Sequence, residues 1–183
     1  MSYLNLSYNE ITSVEKEDFN YLYNLNQLDL SNNKISFIDK DAFQDISNSL
    51  SSLYLQNNCL KLLALNFLIY IREFNLGKNE ILEELKFISV GKDKFGSHLE
   101  KIDLSKNFLD YFPFTLDIFE GDSVKILQMN NNKLKAINNE HFSNLIQLAE
   151  LYINSNLISS IEPYSFTQLD KIEILRLDDN LFN

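Results

Sequence analysis

"LDLSNNKISFIDKDAF", Leu28–Phe43, decides the fold. Three close relatives of it occur in the chain: "LNLSYNEITSVEKEDF" (Leu4–Phe19), "LQMNNNKLKAINNEHF" (Leu127–Phe142) and "LYINSNLISSIEPYSF" (Leu151–Phe166). Each sets an Asn inside an apolar frame and closes on a Phe. The first question is whether that Asn carries chemistry or architecture.

Aligned on L-x-x-L-x-L-x-x-N-x-L, the chain falls into eight registers, starting at Met1, Leu25, Leu50, Ile71, Leu99, Val124, Leu148 and Ile172. Internal periodicity of this kind marks a stacked-repeat architecture. The Asn recurs in every register, as Asn9, Asn33, Asn58, Asn79, Asn107, Asn132, Asn156 and Asn180. An aromatic marker follows in most units: Phe19, Phe43, Phe142 and Phe166, with Phe119 in a longer one.

In "QLDLS", Leu28 and Leu30 are two residues apart and point to one side of a short strand, while Gln27, Asp29 and Ser31 point to the other. One such strand cannot bury its apolar face alone. Eight stacked in parallel make a continuous sheet, and each turn brings the chain back behind it. The Phe fills the space between sheet and outer wall. The Asn sits where the strand ends and the chain bends. Backbone groups buried there without partners would cost roughly 1–3 kcal/mol each. A side-chain amide supplies donors and an acceptor at once, so stacked Asn residues can serve the turn above and the turn below. These eight Asn residues are read as structural.

The pattern resembles the leucine-rich repeat, and "LDLSNNKISFIDKDAF" resembles its typical extracellular subclass, the units of Toll and Toll-like receptor ectodomains. The resemblance spans essentially the whole chain. It implies an α/β leucine-rich repeat solenoid: a curved right-handed superhelix with a concave parallel β-sheet and convex loops bearing short helical or 3-10 segments. It implies recognition of other molecules rather than catalysis. Such ectodomains carry cysteine-rich caps, and this sequence has a single cysteine, Cys59. Residues 1–183 are therefore expected to be one array of about eight repeats, uncapped at both ends, cut from a longer protein. The expected home is extracellular or at the cell surface. The missing cystines and signal peptide leave a cytoplasmic adaptor, binding one protein in its concavity, as the alternative.

Breaks in the period are the places to look for function. The unit from Leu50 is short and its back, "KLLALNFLIY", is strongly apolar. The unit from Ile71 is long; Ile81, Leu85 and Ile88 fall at helical spacing, predicting a short amphipathic helix. "GKDKFGS" (Gly91–Ser97) follows, and Lys92, Lys94 and Phe95 make it a candidate contact loop. On the concave face, the outward column is Asn5, Asp29, Tyr54, Asn75, Asp103, Gln128, Tyr152 and Arg176. The column before it adds Gln27, Glu73, Lys101, Ile126, Glu150 and Ile174. Tyr54, Tyr152 and Arg176 are the leading candidates for partner contact, since Tyr and Arg anchor interfaces. Asp29, Asp103 and Gln128 accompany them. Asn5-Leu6-Ser7 is an N-glycosylation sequon, making Asn5 a candidate glycan site.

Composition narrows the partners. The net charge of −10 argues against nucleic acid, which wants a basic face. It argues equally against an anionic membrane surface. The most apolar run, Leu60–Ile71, is too short to span a bilayer. His98 and His141 lie far apart without metal-ligand spacing, and there is no nucleophile motif, P-loop or dinucleotide fingerprint. Asp29 and Asp103 share a column but lie three repeats apart, too far for paired-carboxylate chemistry. An enzyme is not expected, nor a cofactor or metal. The expected partner is a protein ligand or co-receptor, with pairing to another solenoid as a further option.

Overall fold

The computed structural model describes residues 1–66, 68–82, 85–88, 97–113 and 122–182. The strands are, in chain order, β1 (Tyr3–Asn5), β2 (Ser13–Val14), β3 (Gln27–Asp29), β4 (Phe37–Ile38), β5 (Ser52–Tyr54), β6 (Leu63–Asn66) and β7 (Glu73–Asn75). There follow β8 (Leu85–Ile88), β9 (Lys101–Asp103), β10 (Ile126–Gln128), β11 (Ala136–Ile137), β12 (Glu150–Tyr152), β13 (Ser160–Ile161) and β14 (Ile174–Arg176). One 3-10 helix, Gln44–Ile46, is the helical segment among the described residues.

Eight of these strands form one sheet in the order β1-β3-β5-β7-β9-β10-β12-β14. Every neighbour pair is parallel. The alternation in "QLD" explains the sheet's two faces. Leu28 is fully buried while Gln27 and Asp29 stay half-exposed, and β5, β7, β9, β10 and β12 repeat the pattern. Behind the sheet lies one continuous core, in which Leu25, Leu28, Leu30 and Ile35 of one repeat stack on Leu50, Leu53, Leu55 and Leu60 of the next. Each such side chain contributes about 1.5–3 kcal/mol of burial. The aromatic markers stack from repeat to repeat: Phe19 on Phe43 at 5.8 Å and Phe142 on Phe166 at 5.7 Å. Phe119 lies outside the described residues. Phe112, which the periodicity did not flag, meets Phe142 edge-on at 5.3 Å.

Among the described residues the outer wall alternates turns with short extended segments. Three two-stranded parallel sheets line it: β2–β4, β6–β8 and β11–β13. The helix expected at Ile81–Ile88 is corrected here. Leu85–Ile88 is a strand, paired with β6 in the register Leu63↔Leu85 to Asn66↔Ile88. Two helical turns cannot nucleate alone in water. A neighbouring extended segment, one repeat away, satisfies the same backbone groups at once. The Leu85 N–H is also held by the Tyr111 hydroxyl at 3.0 Å.

The bend after each concave strand is built by the recurring Asn. Asn132 Nδ2 donates to Met129 O of its own turn at 3.0 Å and to Leu104 O of the preceding turn at 2.9 Å. Its Oδ1 accepts the Leu109 N–H, also in the preceding turn, at 3.0 Å. Asn33, Asn58, Asn79, Asn107, Asn156 and Asn180 do the same. The ladder is thus directional: each amide serves its own turn and the one before, not the one after. The residue ahead of every ladder Asn has a φ between 54° and 58°. That left-handed conformation costs roughly 1–2 kcal/mol for a residue with a Cβ. Lys78, Lys106, Tyr8 and Ser155 adopt it all the same, because the turn's hydrogen bonds over-determine it.

Three expectations follow. Asn132→Ala leaves the buried Leu109 N–H without its acceptor and takes one of two amide donors from each of Leu104 O and Met129 O, which keep Asn107 and Asn156. It should lower unfolding free energy by about 1–3 kcal/mol in urea titration. Asn131→Ala, on the exposed left-handed position, should cost no more than about 1–2 kcal/mol. Tyr111→Phe removes one hydrogen bond from β8 and should cost about 1 kcal/mol in the same assay; a neutral result would speak against the strand assignment.

Candidate functional site

The strand registers bring the outward column together as one row: Asn5, Asp29, Tyr54, Asn75, Asp103, Gln128, Tyr152 and Arg176. Beside it runs the row Tyr3, Gln27, Ser52, Glu73, Lys101, Ile126, Glu150 and Ile174. Asp29 and Asp103 are separated by β5 and β7.

At the centre of the concave face the charges are paired across strands. The Tyr54 hydroxyl donates to Glu73 Oε2 at 2.6 Å. Lys101 Nζ lies 3.1 Å from Glu73 Oε1. Burial, and then the neighbouring Glu73 carboxylate, push the Tyr54 phenol up to about 12. Burial works against ionisation of Glu73, but the Tyr54 hydroxyl and Lys101 outweigh it and hold the carboxyl below its ordinary range. One position earlier on each strand, Glu100 is clasped on both oxygens, by Lys125 Nζ at 2.9 Å and Arg72 Nη1 at 3.0 Å. The Lys125 hydrogen bond is the main cause that holds the Glu100 carboxyl low. Two shallow recesses open here, of about 330 and 350 Å³, and both are walled by Arg72, Glu100 and Lys125.

Sequence reasoning named Glu73 and Lys101 only as column members and missed Arg72, Glu100 and Lys125. The signal available was the alternation of charge, Arg–Glu–Lys, at one repeat position through three successive units.

Other column members turn out to serve the frame. Asp29 Oδ1 accepts the Ser31 N–H at 2.9 Å and Asp103 Oδ1 accepts the Ser105 N–H at 2.8 Å. Asn75 does the same for Gly77 at 2.9 Å, and Asn5 for Ser7 at 2.8 Å. A carboxylate or amide two residues ahead of a backbone N–H closes an Asx turn. Asp29 and Asp103 therefore commit one oxygen to the bend. Gly77 is small because a Cβ there would lie 3.1 Å from both Asp103 carboxylate oxygens. The sequon coincides with this device: Asn5 Oδ1 also accepts the Ser7 hydroxyl at 2.7 Å.

Toward the C-terminal end, the Tyr152 hydroxyl donates to Glu150 Oε2 at 2.9 Å. Arg176 forks onto the Asp178 carboxylate, Nε at 2.7 Å and Nη2 at 3.0 Å. Lys92, Lys94 and Phe95 lie outside the described residues.

The two histidines occupy structural settings. His98 stacks on Tyr70 at 5.3 Å. His141 stacks on Phe112 at 4.1 Å, and its Nδ1 accepts the Asn138 N–H at 3.2 Å. Burial pulls the His141 imidazole below its usual range. Among the described residues no three His, Cys, Asp or Glu gather as a metal site, and no helix is long and apolar enough to cross a membrane. Cys59 is a free thiol at a half-buried position.

Comparison with known proteins agrees with this geometry. The leucine rich repeat family model matches residues 1–60 and 122–182. Mouse podocan is 28% identical across 98% of this chain, and human oligodendrocyte-myelin glycoprotein 30% identical across 97%. The chain spans only 33% and 38% of those two proteins. Among solved structures, a TLR13–ssRNA13 complex superposes with a TM-score of 0.82 and 25% identity, over 98% of this chain and 25% of that one. The Toll–Spatzle complex of Drosophila gives a TM-score of 0.69 at 22% identity, over 96% of this chain and 26% of that one. The chain belongs to the leucine-rich repeat family.

Proposed function

We propose that residues 1–183 form a protein-recognition segment of a larger cell-surface or extracellular receptor, and that the partner seats on the concave face between β5 and β10. The observation that carries this is the cross-strand network at the face's centre: Tyr54, Glu73 and Lys101 beside Arg72, Glu100 and Lys125. Its side chains are held in fixed geometry by one another, so little rotamer freedom is lost on binding. The five charges alternate in sign, which suits a protein surface of matching pattern and fixes register more than raw affinity. Tyr54 supplies the large, rigid contact typical of an interface anchor. The receptor reading draws support from the likeness to the Toll–Spatzle and TLR13 structures and from the extracellular form of the repeat.

The test is binding of the secreted chain to an array of extracellular proteins, read by biolayer interferometry. Tyr54→Ala and Lys101→Glu should each weaken a true partner by roughly 30-fold or more, as hot-spot losses of about 2 kcal/mol imply. Lys40→Glu, on the outer wall, should leave affinity unchanged. Partners indifferent to both concave substitutions would overturn the proposal. Intact mass of the secreted chain should drop by one glycan in Asn5→Gln.

A further inference from the structure

The bend that follows each concave strand also builds a lateral flank, and in the middle repeats its chemistry differs from the rest of the molecule. Lys78 and Lys106 occupy the left-handed position in successive turns. Phe108, Lys133 and Leu157 each directly follow a ladder Asn and stand side by side, since the Phe108, Lys133 and Leu157 N–H groups each bond to the turn before. Leu82 lies just beyond. Phe108 and Leu157 are each 42% exposed and Leu82 51% exposed. Lys133 Nζ sits 4.7 Å above the Phe108 ring.

Three facts set this flank apart. First, its cations are available. On the concave face the described cations rest on carboxylates, whereas Lys78 and Lys106 have no ion pair among the described residues. Among the described residues, Glu80 faces Lys61 at 3.9 Å and Asp110 faces Lys135 at 3.7 Å. Second, exposed apolar side chains alternate with lysine along this flank, as Phe108, Lys133 and Leu157 in successive repeats with Lys133 over the Phe108 ring, a mixed composition that suits an interaction surface. Third, the backbone is rigid. The N–H two residues beyond Asn107 and Asn132 is bound by the next ladder amide, so the row that carries Phe108 and Lys133 is fixed before any partner arrives.

We infer that this flank is a second docking surface, built for an acidic segment of a partner protein that sets apolar side chains between its carboxylates. In a chain of net charge −10, three lysines around a patch of Leu and Phe complement such a segment in both charge and hydrophobicity. From Lys78, one position before the ladder Asn, to Leu157 the flank crosses four repeats, roughly 15 Å at the usual strand spacing. That length matches four or five extended residues. Glu80, which starts the Phe108–Lys133–Leu157 row, is turned to Lys61. A polyanion such as RNA or a sulfated glycan fits less well, because it wants an unbroken basic stripe, and here apolar residues interrupt it.

The experiment titrates the chain with fluorescein-labelled 12-residue peptides in which Asp and Glu flank Phe or Leu, read by fluorescence anisotropy. The expected result is micromolar binding by members of the set. Raising salt should weaken it, and Lys106→Glu, Phe108→Ser and Leu157→Ser should each weaken it at least tenfold. All three positions are exposed, and circular dichroism checks that the fold is kept. Tyr54→Ala should leave it unchanged, which separates this surface from the concave one. Absence of binding across the set would overturn the inference, as would equal binding by the three variants. So would tighter, competing binding of poly(U) RNA or heparin oligosaccharide. Sedimentation that showed a dimer abolished by Phe108→Ser would instead make the flank a self-interface.

Discussion

The structure depends on one constraint: the polar backbone of a sharp turn cannot be buried unsatisfied. Each repeat ends its concave strand in a bend whose carbonyls and N–H groups lie against the apolar core. A single Asn amide per repeat answers them, with two carbonyls on its nitrogen and one N–H on its oxygen. Because two of those three partners belong to the preceding turn, the same side chain that finishes one repeat also attaches it to its neighbour. Apolar stacking supplies most of the driving force, but the amide ladder fixes the spacing and register at which the stacking occurs.

That arrangement separates frame from surface. Leu28, Leu30, Asn33 and Phe43 hold the repeat in place and are turned away from any partner. The positions between them are free to vary, and the sheet aligns them into rows. Eight three-residue strands thereby create surfaces that no single repeat possesses. The ion pairs Glu73–Lys101 and Glu100–Lys125 each join residues from different repeats. So does the contact of Lys133 with Phe108. Recognition in this molecule is a property of the stack.

Much of this was legible in the sequence because period and register are linear facts. Once Leu28, Leu30 and Asn33 were aligned with their equivalents, the rows of the concave face followed. What escaped has physical causes. Ile81, Leu85 and Ile88 match a helix face, yet Leu85 and Ile88 pair with β6 and the Ile81 N–H goes to Asn107 Oδ1. The direction of the Asn ladder depends on which turn each amide faces, which spacing does not encode. Asp29 and Asp103 look like outward charges, and only the geometry reveals the Ser31 and Ser105 N–H groups they accept. Arg72, Glu100 and Lys125 sit one residue before the strands begin, so a column counted from the strand residues passes them by.

Hydrogen–deuterium exchange along the chain tests the central claim most directly. If the amide ladder is the constraint on which the stack rests, the Leu109, Leu134 and Ile158 N–H groups, each bound by an Asn Oδ1, should exchange only on global unfolding. Their protection should equal that of the Leu127 and Leu151 amides in the sheet. Exchange of those three turn amides at the rate of open loops, with the strands still protected, would contradict it.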